Sequence, residues 1–95
     1  MGFTPEIIER VWQKASVVSG NDQNIFRKDT CSAWILRSAY GNRDSAFGWE
    51  IDHIIPNGDD SLTNLQPLHW ENNVAKGDGV LQCVMRSSGV ENIRR

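Results

Sequence analysis

Apolar residues near the N-terminus recur at the spacing of one helix face: Ile7, Ile8, Val11, Trp12 and Ala15. The preceding Thr4-Pro5-Glu6 offers a capping threonine, a proline suited to the first helical position and a glutamate at the positive end of the helix dipole. We therefore predict a helix that begins at Pro5, weakens over 16–19 and ends at Gly20-Asn21-Asp22, with its apolar face in the core.

The middle of the chain contains two short segments typical of strands and one typical of a helix. Residues 47–55 alternate in strand fashion, which would direct Asp52 and His53 to opposite faces unless the strand bends there. Residues 65–68 are a second strand-like piece. Residues 69–76 predict a helix, because the glycine that follows them is suited to a helix C-terminus.

The flanking segments are less regular. Residues 24–39 fit either a short helix or a strand, and the apolar run over 80–85 precedes a tail, 87–95, that we expect to be loose. A length of 95 residues is that of one small domain. We predict a single α+β domain in three parts: a helical lead-in and hairpin start over 1–47, a hairpin and helix over 48–78, and a strand-like run and tail over 79–95.

The charge of the chain does not decide whether the protein binds nucleic acid. The formal net charge is −2 and the isoelectric point is about 5.6, whereas an autonomous nucleic-acid binder usually carries a basic excess. Four cationic residues nevertheless lie close together in the sequence and form either an ordinary mixed surface or a phosphate-facing patch: Arg27, Lys28, Arg37 and Arg43.

The two cysteines and the N-terminus predict a cytoplasmic protein. Cys31 and Cys83 stand far apart without a CxxC pair, so no structural zinc is expected. We interpret both as reduced and buried, with a disulfide or a shared metal site as the alternative. The sequence contains neither a secretory leader nor a run long enough to span a membrane, so we expect no membrane partner.

Polar residues within the 48–78 segment suggest metal-assisted hydrolysis. Asp52 offers a hard oxygen ligand for Mg²⁺ or Mn²⁺, and His53 an imidazole suited to general-base catalysis at neutral pH. Helical spacing would bring four further polar residues to one side of the second helix: His69, Asn72, Asn73 and Lys76. The carboxylate and the imidazole are the minimum set for metal-assisted hydrolysis of a phosphodiester, and an amide oxygen from Asn72 or Asn73 could complete the metal ligands.

The string WEIDHIIP…LTNLQPLHWENNVAKGD, within residues 48–78, resembles the signature of the HNH nucleases, also called His-Me finger or ββα-metal nucleases, of the small phage and bacterial type. The resemblance implies an α+β fold with an N-terminal helix and a ββα-metal finger core. It implies one divalent ion, Mg²⁺ or Mn²⁺, held by Asp52 and Asn73. It also implies that His53 is the general base, that Asn64 braces the loop and orients the base, and that Lys76 lies near the DNA backbone.

The resulting expectation is a divalent-metal-dependent DNA endonuclease with little sequence preference of its own, in the cytoplasm of a bacterial or phage-infected cell. Secondary site roles stay open for His69 and Asn72, and Arg27, Lys28, Arg37 and Arg43 are further candidates for nucleic-acid contact. One alternative is an HNH-fold binding or regulatory module that cuts poorly and docks on a larger protein or phage complex. The acidic charge and Val74, where relatives often have arginine, favour that alternative. A second alternative is an RNA endonuclease, and a homodimer is a further option.

Overall fold

The computed structural model describes residues 2–95, which form an α+β fold with two helices and three small antiparallel sheets. This confirms the predicted class. The elements in chain order are α1 (Pro5–Trp12), β1 (Phe26–Lys28), β2 (Trp34–Leu36), β3 (Trp49–His53), β4 (Leu65–His69), α2 (Trp70–Lys76), β5 (Met85–Ser88) and β6 (Glu91–Arg94).

Helix α1 begins as predicted but ends earlier than predicted. The Thr4 hydroxyl accepts a hydrogen bond from the backbone N–H of Ile7 at 3.2 Å, which satisfies one of the open donors at the helix start. The regular helix stops at Trp12 because the chain then turns to pair with β1, where Ser16 and Lys28 exchange backbone hydrogen bonds of 2.8 and 3.0 Å. Tertiary pairing therefore ends the helix before Gly20.

Each sheet is one antiparallel pair: β1 with β2, β3 with β4, and β5 with β6. Residues 24–39, which fit a helix or a strand by sequence, supply β1 and β2. The β3–β4 register places Asp52 opposite Gln66 and Trp49 opposite His69. Helix α2 follows β4 directly, so the chain forms a hairpin and a helix in immediate succession.

The apolar core lies between α1 and the first two sheets. Its buried members are Val11, Trp12, Ala15, Ile35, Trp49 and Leu65. The rings of Trp12 and Trp49 are 5.5 Å apart, and Tyr40 meets Trp49 edge-on at 5.0 Å. The predicted apolar face of α1 is thus confirmed as core, and it fixes the β3 strand whose other face carries Asp52.

The C-terminal segment was expected to be loose, and that prediction is wrong. Strands β5 and β6 form a hairpin that turns at Gly89, whose φ of +61° is a conformation that glycine adopts readily. The Asn92 amide pairs with both backbone groups of Trp34, at 2.7 and 2.9 Å, and the Trp34 indole donates to the carbonyl of Gly89 at 2.7 Å. Contacts distant in sequence hold this polar hairpin in place.

The expectation of reduced cysteines is also wrong. Cys31 and Cys83 form a disulfide with their Cα atoms 5.4 Å apart, which is the alternative left open by the sequence. Structural disulfides are rare in the cytosol, so the cytoplasmic prediction loses one of its supports. Within residues 2–95, neither helix has the length and apolar character needed to cross a membrane.

Candidate functional site

A polar pocket of about 320 Å³ lies between β3, α2 and the loop that follows β3. Its walls combine residues from all three elements: Ile51, Asp52 and His53 of β3, Pro56, Asn57 and Gly58 of the loop, and Asn73, Lys76, Gly77 and Asp78 at the end of α2. The structure therefore gathers four of the predicted site residues around one cavity: Asp52, His53, Asn73 and Lys76.

The Asp52 carboxylate is buried at the base of this pocket. Its side chain is 5% exposed, and its two oxygens have different partners. Lys76 Nζ lies 3.2 Å from Oδ1, and the Gln66 amide donates to Oδ2 at 2.9 Å across the β3–β4 pair. Each carboxylate oxygen has lone pairs left for another partner, because a carboxylate can accept about four interactions.

Lys76 points into the protein rather than into solvent. Its side chain is 4% exposed, and besides Asp52 it donates to the backbone carbonyl of His53 at 2.9 Å. Its position follows from helix geometry, because Lys76 lies one turn beyond Asn73 and shares the face of α2 that meets β3. The residue expected near a DNA backbone is thus part of an internal ion pair.

His53 stands at the pocket rim with about a third of its side chain exposed. Its Nε2 lies 2.6 Å from a carboxylate oxygen of Asp60 in the loop. Nδ1 forms no hydrogen bond with any group among residues 2–95. Asp60 therefore favours the tautomer with hydrogen on Nε2, which leaves Nδ1 able to accept a proton.

Asp60 is a residue that sequence reasoning missed. The 56–61 segment is rich in turn-forming residues, so its sequence predicts a loop and gives its carboxylates no role at the site. An acidic residue a few positions after a candidate base was the available signal, but only the folded loop shows which carboxylate turns toward the ring. At Asp59, the hydroxyl and backbone N–H of Ser61 donate to the carboxylate and hold its pKa below the usual value, with a further contribution from His53.

Asn64 lies at the end of the loop, where a bracing residue was expected. Its amide oxygen accepts from the backbone N–H of Ile55 at 2.9 Å, and its amide nitrogen donates to the carbonyl of Asp59 at 2.9 Å. Gly58 packs so closely that a Cβ there would lie 2.5 Å from the Asn64 nitrogen. Asn64 thus joins both arms of the loop that carries Asp60.

Asn73 lines the pocket, and one of the two polar groups of its side-chain amide has a partner among the described residues. Its amide nitrogen donates to Glu50 at 2.9 Å, and no donor among the described residues reaches its amide oxygen. Glu50 also forms a two-pronged pair with Arg43, at 2.7 and 2.9 Å, and this hydrogen-bonded pair lowers the pKa of the Glu50 carboxyl. The pair fixes the orientation of the Asn73 amide and leaves its oxygen directed elsewhere.

Asn72 and His69 were expected on the same side of α2 as Asn73 and Lys76, but neither of them lines the pocket, and both are fully buried. Asn72 makes four hydrogen bonds of 2.8–3.1 Å: it accepts from the backbone of Val84 and Met85 and donates to the Met85 carbonyl and to Asp29. His69 caps α2 by accepting from the Glu71 N–H at 3.1 Å, and its other ring nitrogen pairs with the carbonyl of Ala46 at 2.8 Å. We assign both residues a structural role.

Asp29 is a second residue that sequence reasoning missed. One of its carboxylate oxygens accepts from the backbone N–H groups of Cys31 and Ala33, each at 2.9 Å. The other accepts from the backbone of His69 at 2.9 Å and from the Asn72 amide at 3.1 Å. A lone aspartate between β1 and β2 gives no sequence signal of this role, because its partners on the hairpin and helix, His69 and Asn72, lie 40 and 43 residues away.

The four clustered cationic residues do not line the pocket. Arg27 is buried and donates to the backbone carbonyls of Gln23, Gln13 and Ala15. Arg37 pairs with Glu9, Arg43 pairs with Glu50, and the Lys28 ammonium lies 4.6 Å above the Trp34 ring. Intramolecular partners therefore account for each of these side chains.

The donor chemistry of the pocket fits a hard divalent cation. The Asp52 carboxylate and the Asn73 amide oxygen are ligands that Mg²⁺ and Mn²⁺ accept. Within residues 2–95, no three side chains among histidine, cysteine, aspartate and glutamate form a metal-binding group. Water and substrate oxygens would supply the remaining ligands, as they commonly do for Mg²⁺.

Comparisons with models of protein families, with curated proteins and with solved structures find no match to this chain. Any proposal about function therefore rests on the residues of the pocket.

Proposed function

We propose that this protein is a divalent-metal-dependent DNA endonuclease of the HNH type, with β3, β4 and α2 as its ββα-metal finger. One observation carries the proposal. Asp52, His53 and Asn73, to which the resemblance assigns the ligand and base roles, line the same polar pocket. Because the loop and β4 separate α2 from β3 in the sequence, the position of Asn73 beside Asp52 and His53 depends on how the chain folds.

The proposed chemistry begins with His53. Its Nδ1 takes a proton from a water molecule while Asp60 holds the opposite ring nitrogen at 2.6 Å. The resulting hydroxide attacks phosphorus, the bond to the 3′-oxygen breaks, and the departing oxygen takes a proton from solvent water. The products are a 5′-phosphate and a 3′-hydroxyl. A divalent ion held by Asp52 and Asn73 would neutralise the charge that develops on the phosphate and on the departing oxygen.

Asn64 supports this chemistry indirectly. By joining the Ile55 and Asp59 backbone groups, it keeps the loop in the shape that brings Asp60 to His53. The chain contains one such pocket among residues 2–95, so each chain would cut one strand. Cutting both strands would need a homodimer or two separate events.

Supercoiled plasmid provides the test, at low salt and with Mg²⁺ or Mn²⁺. Low salt matters because weak phosphate contacts are screened quickly as salt rises. We expect wild-type protein to convert the plasmid to open circles, and His53→Ala to lose about 100-fold or more of that rate, the usual contribution of a general base. His53→Ala purified identically also controls for a contaminating nuclease. Folded wild-type protein that leaves the plasmid intact with both ions would overturn the proposal.

The second candidate function is an HNH-fold binding or regulatory module with weak or no cleavage. The specific observation in its favour is the pairing of the cationic residues, since Arg37, Arg43 and Lys76 face Glu9, Glu50 and Asp52 within the chain. Such a module would bind a protein or phage complex without nicking DNA in the plasmid assay. An RNA endonuclease would use the same chemistry, and a competition assay with equal concentrations of RNA and DNA separates those two substrates.

A further inference from the structure

The Lys76–Asp52 pair is the most deeply buried ion pair in the described part of the chain, and it lies at the proposed metal ligand. The ammonium contacts oxygens of two residues, 3.2 Å from Asp52 and 2.9 Å from the His53 carbonyl. Both side chains are about 95% buried. A lysine that serves only as a phosphate contact would extend into solvent, so this burial calls for another explanation.

A second cation cannot approach Asp52 while Lys76 remains in place without strong repulsion. Lys76 and Asn73 share one face of α2, so an ion held by Asp52 and Asn73 would lie next to the ammonium. A divalent ion and the Lys76 ammonium that both contact Asp52 would repel each other strongly, even at the effective dielectric of a protein surface. Either the pocket takes no divalent ion, or Lys76 moves when one binds.

The local structure allows Lys76 to move while the rest of the site stays in place. Lys76 is the last residue of α2, and the helix ends at Gly77 with a φ of +52°. Gly77 and Asp78 form the adjoining wall of the pocket, so the side chain can turn along its own flexible stem toward the pocket mouth. The other Asp52 oxygen keeps its hydrogen bond from Gln66.

We propose that Lys76 is an exchangeable internal cation, which neutralises Asp52 until a divalent ion displaces it and which then binds a phosphate of the nucleic acid. The proposal rests on the proposed function for the existence of the metal site, but it does not depend on cleavage. One side chain thereby couples two events: metal binding releases the ammonium, and a phosphate that holds the ammonium favours metal binding. Linkage requires these two effects to be equal in magnitude.

Calorimetry with Mn²⁺ tests the first half of the proposal. Lys76→Gln should bind Mn²⁺ about ten-fold more tightly than wild-type protein, because the competing charge is gone. Lys28→Gln is the matched control, since it removes the same charge from a side chain that does not line the pocket and should behave as wild type. A Lys76→Gln protein that binds Mn²⁺ no more tightly than wild type would overturn the exchange.

Binding to a fluorescent DNA duplex tests the second half, in a His53→Ala background that cannot cut. With Mn²⁺ present, adding Lys76→Gln should weaken DNA binding about ten-fold, the loss typical of one charged contact. Without Mn²⁺ the same change should have no effect, because Lys76 is still occupied by Asp52. Equal weakening with and without Mn²⁺ would mean an ordinary phosphate contact and would contradict the exchange.

A measurement on wild-type protein covers the case in which Lys76→Gln fails to fold. In protein labelled with ¹³C at the lysine Cε positions, the Lys76 signal should shift on addition of Mg²⁺, while the Lys28 signal should not. A Lys76 signal that stays constant at saturating Mg²⁺ overturns the exchange.

If neither wild type nor Lys76→Gln binds Mn²⁺, both the exchange and the proposed function fail. If wild type binds Mn²⁺ and nicks DNA but Lys76→Gln gains no affinity, only the exchange fails.

Discussion

Two neighbouring asparagines on α2 show how differently one helix uses the same side chain. Asn72 lies on the anchoring face, which we define as Asn72 with the capping His69, and makes four hydrogen bonds while fully buried. Asn73 lies on the pocket face, defined as Asn73 with Lys76, and makes one hydrogen bond to a side chain. Saturated hydrogen bonding marks the asparagine that holds the fold, and unsaturated bonding marks the one available to a ligand.

The two histidines repeat this contrast. His69 is fully buried and both of its ring nitrogens have partners in the chain. His53 is partly exposed and leaves one ring nitrogen without a partner among residues 2–95. Residue type alone would rank the two equally as candidates for catalysis, whereas the hydrogen bonds of each ring separate them.

The largest expected effect comes from the disulfide beside the anchoring face. Cys31 and Cys83 are separated by 52 residues, so closing this loop should stabilise the fold by about 4 kcal/mol in the chain-entropy treatment. We expect the double variant Cys31→Ser/Cys83→Ser to lose about that much free energy of unfolding, measured by urea denaturation. Added reductant should lower the wild-type midpoint and leave the variant unchanged. An unchanged wild-type midpoint would show that the bond adds no stability.

The asparagine pair offers a smaller and more direct test of the contrast. Asn72→Ala should lower the free energy of unfolding by about 3 kcal/mol, because it leaves buried backbone donors without an acceptor. Asn73→Ala should change it by less than about 1 kcal/mol, since its single bond is to Glu50, which keeps its pair with Arg43.

Metal binding should show the opposite order. Asn73→Ala should weaken Mn²⁺ binding, and Asn72→Ala should not, when calorimetry is performed under conditions in which circular dichroism shows both variants to be folded. Loss of Mn²⁺ binding in folded Asn72→Ala but not in Asn73→Ala would reverse the assignment of the two faces.

The smallest expected effect on stability is that of the exposed Arg37–Glu9 ion pair, which belongs to neither face of α2. Arg37, with help from Gln13, donates to Glu9 and holds the pKa of that carboxyl below its usual value. Because the folded pKa is the lower one, this stabilisation is complete above the ordinary glutamate pKa and is lost as pH falls through the folded value. Both side chains are more than a third exposed, so solvent screening keeps the gain below about 1 kcal/mol.

Glu9→Gln should therefore be slightly less stable than wild type in urea at neutral pH, and nearly equal to it near pH 3. A stability difference that grows toward low pH would contradict the assignment. A loss at neutral pH as large as that of Asn72→Ala would show that exposed pairs matter as much as the anchoring face.

Local patterns predicted the elements whose own residues determine them. The capping Thr4 and the apolar spacing after it located the start of α1, and Gly77 marked the end of α2. Alternation in residues 47–55 located β3, although the regular strand stops at His53. These features depend on neighbours within a few positions, which a sequence displays directly.

Contacts between distant residues escaped the same reasoning. The β5–β6 hairpin is polar, and Asn92 holds it to Trp34 across 58 positions. Two isolated cysteines carry no indication that they meet. At the site, spacing predicted that His69, Asn72, Asn73 and Lys76 share one side of α2, but only Asn73 and Lys76 line the pocket. The inward turn of Lys76 depends on Asp52 in β3. The role of each polar group depends on its hydrogen-bond or ion-pair partner, and that partner is known only once the chain has folded.

The hydrogen bonds of Asn72 also determine whether residues 48–78 can be transplanted into another protein as a unit. Its acceptor oxygen is filled by the backbone of Val84 and Met85, and its donor meets Asp29, all outside residues 48–78. A peptide of those 31 residues grafted into another scaffold would carry an unsatisfied amide in the middle of its helix. The portable unit of this protein is therefore larger than its motif, and a chimaera that keeps the pocket must also bring the β1–β2 turn and the C-terminal hairpin.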